Sequence, residues 1–423
     1  MIKFLFKGLM RDKSRSLLPM LVVSLGVMMT VLLQSILGGF LNETIESTAN
    51  FTTGHLKVMT REYSKNSAQI PNDLALVGVD TLKKSLQKQC SNISWTERIQ
   101  FGGLLDVPDS LGRTRAQGNV SGMGISLLKN DQEINRIDLK TRLVKGEFPT
   151  KAGEILISDD LFHKMNLKLG DKVTLISSGM YDDMAMYNFR ISGTLHFGIN
   201  VLDRGMVIAD IEDIRAALNM DNSAGEILGF FTGEMYNNKL AKAAAQSFNA
   251  QYASSKDKFA PVMLPLSDMN DMGFLVAYSE SIQTFIVVIF IIAMGIVLWN
   301  AGLIGGLRRY GEFGLRLAIG ENKNEIYRSL IAESFLVGTV GSVIGVIAGL
   351  LISWYFQAVG INYGDAMKDA TFLMPSVMRA HISLTTYYIG FVPGIISTVV
   401  GSMLAGIGIY KRQTANLFKE LES

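Results

Sequence analysis

Four long apolar runs limit what this chain can fold into more than any other feature of its sequence. They cover residues 17–41, 274–307, 329–356 and 384–410. Each is long enough to cross a hydrocarbon layer of about 30 Å, which takes about 20 helical residues. Only 18% of the 423 residues are charged, against about 25% in soluble domains. We therefore predict an α-helical membrane protein with four transmembrane helices, and composition excludes a disordered chain.

The first run has two interpretations, an uncleaved anchor or a cleaved signal peptide. It is longer than the apolar region of a signal peptide and lacks the small-x-small cleavage pattern. We therefore expect an uncleaved anchor. The runs at 274–307 and 17–41 have polar continuations on one side, so we expect both helices to project out of the membrane.

Basic residues predict the orientation of the spans. They concentrate in residues 1–16, 308–328 and 411–423, and short loops rich in Lys and Arg stay on the cytoplasmic side. Both termini are therefore expected inside, and residues 42–273 and 357–383 outside. Residues 1–16 are either an interfacial helix on the inner leaflet or a plain charged flank.

Small residues recur every fourth position in the last two spans. Gly341, Gly345 and Gly349 do so in the third, and Gly390 and Gly394 in the fourth. This spacing lets helix backbones approach closely in lipid, so we predict a tightly packed helix pair. Within the third span, Glu333 is expected to pair with Arg328 or Arg316.

Residues 42–273 mix strand and helix patterns and predict a large α+β domain outside the membrane. Strands are expected at 154–158, 172–176, 189–195 and 205–209, with helices at 159–166, 210–218 and 239–252. We expect the domain to divide near Arg115–Asn135. Cys90 is the single cysteine, so no internal disulfide forms, which favours a bacterial envelope.

No motif in the sequence indicates chemistry performed by this chain. It lacks the Gly-x4-Gly-Lys-Ser/Thr phosphate loop and the His-Glu-x-x-His zinc pattern. Its four histidines, His55, His163, His196 and His381, are scattered, and we expect surface or loop positions for them. Net charge is +2, which gives no argument for nucleic acid. No catalytic or metal-binding residue is predicted, and the chain is expected not to be an enzyme.

The segment between the second and third runs is the most informative stretch. Phe313, Leu317 and Ala318 predict one apolar face of a short helix among charged residues. Such a helix suits docking into a groove of a partner protein. The alternative is an interfacial helix without a partner.

This segment resembles a known family. Its pattern includes Arg309, Glu312, Gly314, Arg316 and Gly320 and is similar to that of the FtsX-like permeases of ABC transporters (type VII). These include the lipoprotein-releasing permeases LolC and LolE and the exporter MacB. Phe313 departs from the usual isoleucine.

A second resemblance lies in the outer domain. Residues 153–158, 169–173 and 189–193, followed by Asp203, look like the family's MacB-type periplasmic core. Both resemblances occur in the expected order along the chain.

The resemblance implies a non-catalytic permease in a bacterial inner membrane. Two permeases, identical or homologous, would associate with two copies of a separate ABC ATPase, which binds ATP and Mg. The long first and second helices would carry movement to the periplasmic domains. The residues implied in coupling to the ATPase are Arg309, Glu312, Phe313, Gly314, Arg316, Leu317, Ala318 and Gly320.

The substrate is expected to be a lipoprotein extracted from membrane lipid and passed to a periplasmic chaperone or adaptor. Its acyl chains would lie in an apolar cleft between the outer halves of the first two helices. The cleft candidates are Leu33, Leu37, Phe40, Phe274, Tyr278, Ile282 and Phe285. These side chains suit a bilayer or a partner helix equally. The alternatives are MacB-like export of a drug, toxin or antimicrobial peptide, and FtsX-like regulation of periplasmic hydrolases.

Overall fold

The fold is taken from a computed structural model that describes residues 13–109, 111–129, 131–198, 200–233, 235–269, 272–308, 310–362 and 377–411. These residues fall into two units. A helical unit takes those within 13–41, 277–362 and 377–411, and an α/β unit takes those within 42–276. The predicted interfacial segment at 1–12, most of the cytoplasmic tail and much of the 357–383 loop lie outside the described residues.

The helices of the described residues are numbered in chain order. They are α1 (Lys13–Thr48), α2 (Arg61–Lys65), α3 (Val79–Gln89), α4 (Asp131–Arg136), α5 (Leu139–Arg142), α6 (Asp159–Lys164), α7 (Asn200–Asp203), α8 (Ile211–Leu218), α9 (Asn238–Gln251), α10 (Met272–Arg308), α11 (Tyr310–Ala318), α12 (Lys323–Val359), α13 (Leu384–Ile389) and α14 (Phe391–Lys411).

The strands follow the same order. They are β1 (Leu56–Thr60), β2 (Leu76–Val77), β3 (Ile93–Pro108), β4 (Thr114–Ile125), β5 (Leu143–Gly146), β6 (Glu154–Ser158), β7 (Lys172–Ser178), β8 (Met184–Leu195), β9 (Met206–Asp210), β10 (Ser223–Ala224), β11 (Glu226–Phe231), β12 (Pro261–Pro265), β13 (Ile361–Asn362) and β14 (Val377–Met378).

Four helical stretches in the described part of the chain are long and apolar enough to cross a membrane. They lie within Leu17–Thr53, Thr284–Ile304, Lys323–Val359 and Leu384–Gly406. Together with the α/β unit they confirm the predicted fold class. Helix α1 ends at Thr48 and is followed by one wider π-helical turn, Ala49–Thr53.

Close helix packing around glycines is also confirmed, but the partner of the third span's glycines is the first span. A Cβ atom on Gly341, Gly345 or Gly349 would lie 2.8–2.9 Å from a valine Cβ atom of α1. Those valines are Val23, Val27 and Val31, which are fully buried. Only glycine lets the two backbones come this close. The fourth span contacts α12 through Gly338 and Gly394.

The α/β unit contains two lobes that share strand β3. The first, the sheet lobe, has strand order β12-β1-β11-β3, with α3 and α9 packed on its strands. Within β3, Ile93–Arg98 pair with β11, whereas Ile99–Pro108 pair with β4. The partner strand therefore changes between Arg98 and Ile99. The predicted division near Arg115–Asn135 is wrong, because residues 114–125 form β4.

The second lobe, the barrel lobe, is a closed ring of six strands. Its pairs are β3–β4, β4–β9, β9–β6, β6–β8, β8–β7 and β7–β3. Closure leaves no free edge on the ring. Buried side chains from both lobes, including Leu56, Leu105 and Ile155, belong to one continuous hydrophobic core.

Most of the elements predicted in the outer domain are present. The strands expected at 154–158, 172–176, 189–195 and 205–209 correspond to β6, β7, β8 and β9, and the helix at 159–166 is shorter, as α6. Asp210 caps α8 as expected, because its side chain accepts the Glu212 N–H at 3.0 Å. Strand β3 was not among the predicted strands, and β8 begins five residues before the strand predicted at 189–195.

Stability of the α/β unit is expected to fall below about pH 4.3, the ordinary glutamate pKa, through Glu97. Its carboxylate lies 2.9 Å from Lys83 Nζ and 2.6 Å from Arg215 Nη2. Burial alone would raise the pKa of Glu97, but hydrogen bonds and charge from these two cations together lower it. The stabilisation is therefore complete above the unfolded pKa and is lost as pH falls through the folded pKa.

Thermal unfolding of full-length protein at pH 7, 5 and 4, and at about 3.5, checks this expectation for Glu97. The Glu97→Gln variant should lose less stability on acidification than the original. A matched variant of an exposed acid, Glu147→Gln, should lose as much stability on acidification as the original chain. Parallel curves for all three proteins would contradict the role of Glu97.

Candidate functional site

The connecting segment, residues 310–322, lies between the second and third spanning helices. Its helix α11 has Glu312 in the first turn and Arg316 in the last turn. An acid near the N-terminus and a base near the C-terminus both interact favourably with the helix dipole. Glu312 is exposed and Arg316 half-buried. Arg309 lies outside the described residues.

Gly320 ends the helix in a left-handed conformation. Its φ is +100°, its N–H donates to the Leu317 carbonyl at 3.0 Å, and the Glu321 N–H donates to the Arg316 carbonyl at 3.1 Å. These two bonds are the Schellman arrangement, in which glycine at this position allows the chain to reverse. The predicted importance of Gly320 thus has a physical cause in the turn.

A side-chain pair closes the same turn. Arg316 donates from Nε and Nη2 to the two carboxylate oxygens of Glu321, at 2.6 and 2.7 Å. Bidentate pairing fixes the guanidinium plane as well as its distance. Arg316, which was expected to pair with Glu333, is therefore held by Glu321, and α12 begins two residues later at Lys323.

The apolar surface of the segment differs in part from the predicted face. Leu317 is half-buried and Ala318 is exposed, while the structure does not describe the side chain of Phe313 or the exposure of Gly314. Leu315 and Ile319, which the sequence analysis did not select, are 62% and 78% exposed. They are four residues apart and so lie on one face. Their four-residue spacing is visible in the sequence and could have identified this apolar face.

Gly320→Ala is expected to loosen this turn. A side chain in the left-handed region costs about 1–2 kcal/mol, so amides at 316–322 should exchange hydrogen roughly tenfold faster. Hydrogen exchange with mass spectrometry on the full chain measures this. Gly295→Ala, inside helix α10 with open space around its Cα, is the control and should leave exchange unchanged. Equal exchange in both variants would contradict a requirement for glycine at 320.

The predicted substrate cleft residues are mostly accessible. Phe274 is 76%, Phe285 64%, Tyr278 45% and Leu33 38% exposed. The remaining three, Leu37, Phe40 and Ile282, are half-buried. Such exposure suits side chains facing lipid as well as an open cleft, so the assignment to substrate stays a prediction.

A buried polar cluster in the α/β unit was missed by the sequence analysis. His55, expected at a surface or loop position, lies in the bend before β1 but is only 2% exposed. Its Nε2 lies 3.0 Å from Glu46 Oε2, and its Nδ1 accepts the Phe231 N–H at 3.1 Å. Arg98 is completely buried and pairs with Glu133. These partners are distant in sequence, so no local pattern reveals them.

The histidines and acids of the chain do not converge as metal ligands would. Across the described ranges, His, Cys, Asp and Glu side chains form no group of three or more that would hold a metal ion. His163 lies 3.3 Å from Asp159, and His196 lies 3.5 Å from Asp203. Both histidines are exposed, as the sequence predicts.

Comparison with known proteins finds relatives of the part of the chain that contains the connecting segment. A family model, the FtsX-like permease C-terminal domain, matches residues 284–414. The lipoprotein-releasing system transmembrane protein LolC of Xylella fastidiosa is 22% identical over 244 residues, 56% of this chain and 54% of LolC. The macrolide export ATP-binding/permease protein MacB of Campylobacter jejuni is 20% identical over 410 residues, 92% of this chain and 58% of that protein.

The chain spans about half the length of the curated relatives it matches. Among solved structures, the periplasmic region of MacB from Actinobacillus actinomycetemcomitans aligns with 54% of this chain and 95% of that one, at 15% identity and a TM-score of 0.35. The family match includes the connecting segment and the spans that flank it. The chain therefore carries an FtsX-like permease domain over residues 284–414, as its sequence predicts.

Proposed function

We propose that this chain is the permease subunit of an ABC transporter. The observation that carries the proposal is the FtsX-like match over residues 284–414 together with the geometry of the connecting segment inside it. Relatives named for lipoprotein release and for macrolide export support the same transporter class. The chain itself would bind no ATP, and ATP with Mg would belong to a separate ATPase partner.

The connecting segment has the features of a docking element. Leu315 and Ile319 present an exposed apolar pair, and Glu312 adds a charge one turn earlier. A short amphipathic helix binds a partner by laying such anchors into a groove. The Schellman turn at Gly320 and the Arg316–Glu321 pair fix the direction in which this helix enters α12. Force applied by a partner would then reach α12 instead of bending the turn.

Orientation and location follow from charge. Basic residues flank the spans on the side of the connecting segment, which favours a cytoplasmic position for it and for both termini. The α/β unit would then face the periplasm of a bacterial inner membrane. A second permease, identical or homologous, would complete the transporter.

Lipoprotein release is the preferred substrate class. It is supported by the similarity to LolC and by accessible apolar side chains on α1 and α10, among them Leu33 and Phe285. Acyl chains suit such an apolar surface. A periplasmic chaperone or adaptor would receive the product. The similarity to MacB along 92% of the chain keeps export of a drug, toxin or peptide as the second candidate.

Purification of the tagged full chain from its native membrane tests the proposal. We expect an ABC ATPase, recognised by its phosphate-loop sequence, to co-purify together with Mg-dependent ATPase activity. Glu312→Lys should remove both, whereas Lys323→Glu, beyond the turn, serves as the matched charge reversal. Acylated lipoproteins in the eluate would favour release over export. The absence of any ABC ATPase, also after reconstitution with candidate ATPases, would overturn the proposal.

A further inference from the structure

Arg98 lies where the two lobes of the α/β unit meet. It is the last residue of β3 to pair with β11, and Ile99 is the first to pair with β4. Its side chain is completely buried. A guanidinium is always charged at physiological pH, so burial at this position requires compensating partners.

Those partners come from two other elements. Nε and Nη2 contact Glu133 Oε2 on α4 at 2.9 and 2.8 Å. Nη1 donates to the Phe51 carbonyl at 3.0 Å, and Nη2 to the Asn50 carbonyl at 2.7 Å. Asn50 and Phe51 belong to the π-helical turn that follows α1. Ile134 of α4 is buried in one cluster with Met123 of β4 and Ile208 of β9, so α4 belongs to the barrel lobe. Arg98 therefore joins the end of the first long helix to this lobe.

Further contacts continue from Arg98 into a ring. Glu133 also pairs with Arg136, whose guanidinium lies 3.9 Å from the centre of the Phe230 ring. The Phe230 ring is 5.6 Å from that of His55, and His55 contacts Glu46 on α1. The ring returns to Asn50, one helical turn after Glu46.

Part of the ring lines an open cleft of about 330 Å³, whose lining includes Glu46, Asn50, Arg136 and Phe230. Phe51 of the same turn is 6% exposed and packs in a buried apolar cluster with Ile134 of α4. At this place polar contacts therefore add direction to an apolar contact. Helix-end carbonyls lack intrahelical partners, and a charged donor from β3 satisfies two carbonyls beyond this helix. Such charge-assisted hydrogen bonds are short and directional, so the joint resists both sliding and rotation.

We propose that Arg98 is a positioning residue that fixes the end of α1 to the barrel lobe, so that the two move as one piece. The joint itself does not depend on the proposed function, and only its movement by ATP rests on that function. In that case α1, which is continuous from its apolar stretch to Thr48, moves the barrel lobe through Arg98. Without Arg98 the ATPase would continue while the lobe no longer followed the helix.

Distance measurement between spin labels tests the joint without any ATPase. Labels are placed by Glu43→Cys on α1 and Leu111→Cys on the β3–β4 hairpin, in a Cys90→Ser background of the full chain. The original joint should give one narrow distance distribution. Arg98→Met should increase the width of the distribution at least twofold. Arg98→Lys should increase it less, because lysine keeps the charge but not the planar set of donors.

Arg61→Met is the matched control. Arg61, which follows β1 of the sheet lobe, is half-buried and donates to the Ser255 and Tyr252 carbonyls at 2.6 and 3.3 Å. Its loss removes a guanidinium that bridges two carbonyls, as Arg98 does, without touching the joint. If Arg61→Met broadens the distribution as much as Arg98→Met, or if neither does, the assignment to Arg98 is overturned. Thermal unfolding of each variant confirms that folded protein is being compared.

A second measurement examines the link to ATP. With the ATPase partner present, the distance between labels at Leu18→Cys and Leu111→Cys should change on nucleotide binding. In Arg98→Met the change should be lost while ATP turnover stays within twofold. If the distance in the chain with Arg98 does not change on nucleotide binding, the proposed function fails. The first measurement then still decides whether Arg98 fixes α1 to the barrel lobe. Equal loss of turnover and movement would contradict a positioning role.

Discussion

Gly345→Leu is expected to prevent the helical unit from packing, so that little monodisperse protein is recovered from detergent. A Cβ atom at residue 345 would lie 2.6 Å from the Ser24 carbonyl oxygen and 2.8 Å from the Val27 Cβ atom. Both neighbours lie on α1, so the whole of this helix would have to separate from α12. Overpacking of this kind costs about 3 kcal/mol or more when backbone must shift.

Gly295→Leu is the matched control for this prediction. Gly295 also lies within an apolar helix, but nothing is within 4 Å of its added Cβ position. Thermal stability in detergent, followed by the size-exclusion peak after heating, should match the original chain for Gly295→Leu and fall sharply for Gly345→Leu. Similar melting of the two variants would mean that α1 and α12 do not make this contact.

A double substitution, Leu315→Asp with Ile319→Asp, is expected to weaken binding of the ATPase partner at least about 100-fold. Two buried apolar anchors contribute about 3 kcal/mol together, and each 1.4 kcal/mol changes affinity tenfold. The segment's own fold should survive, because both side chains are exposed and its turn depends on Gly320, Arg316 and Glu321. Binding of the purified ATPase to immobilised full chain measures the change.

Leu111→Asp is the control for the double substitution at Leu315 and Ile319. Leu111 is 74% exposed on the α/β unit, which the proposed orientation places on the opposite side of the membrane. Its substitution adds one of the two negative charges to a comparably exposed leucine and should leave affinity unchanged. An unaltered affinity of the double variant would show that the ATPase docks elsewhere on the permease.

The elements that the sequence predicted well are those defined by local patterns. Spanning helices follow from length and hydrophobicity alone, and β6 follows from the short apolar run at 154–158. The family-like motif selected Gly320, and the structure gives this glycine a positive φ, while its role in coupling stays a prediction. In each case the deciding residues lie within one turn or one strand of each other.

The remaining features depend on contacts between distant residues. Closure of the barrel pairs β3 with β7 about 70 residues away, and alternation within a strand does not identify its neighbour. Arg98 finds its partners at residues 50, 51 and 133. Likewise, His55 is buried because Glu46 and β11 enclose it, whereas its own neighbours in sequence suggested only a loop.

The shared strand has an evolutionary consequence. The chain leaves the sheet lobe after Arg98 and re-enters it at Glu226, and these two residues are direct cross-strand partners. Antiparallel partners have Cα atoms about 5 Å apart, so the intervening segment begins and ends at almost the same point. Insertions with adjacent ends leave their host fold undisturbed. The barrel can therefore change in length and loops without altering the register of the host sheet, as long as the core that both lobes share is kept.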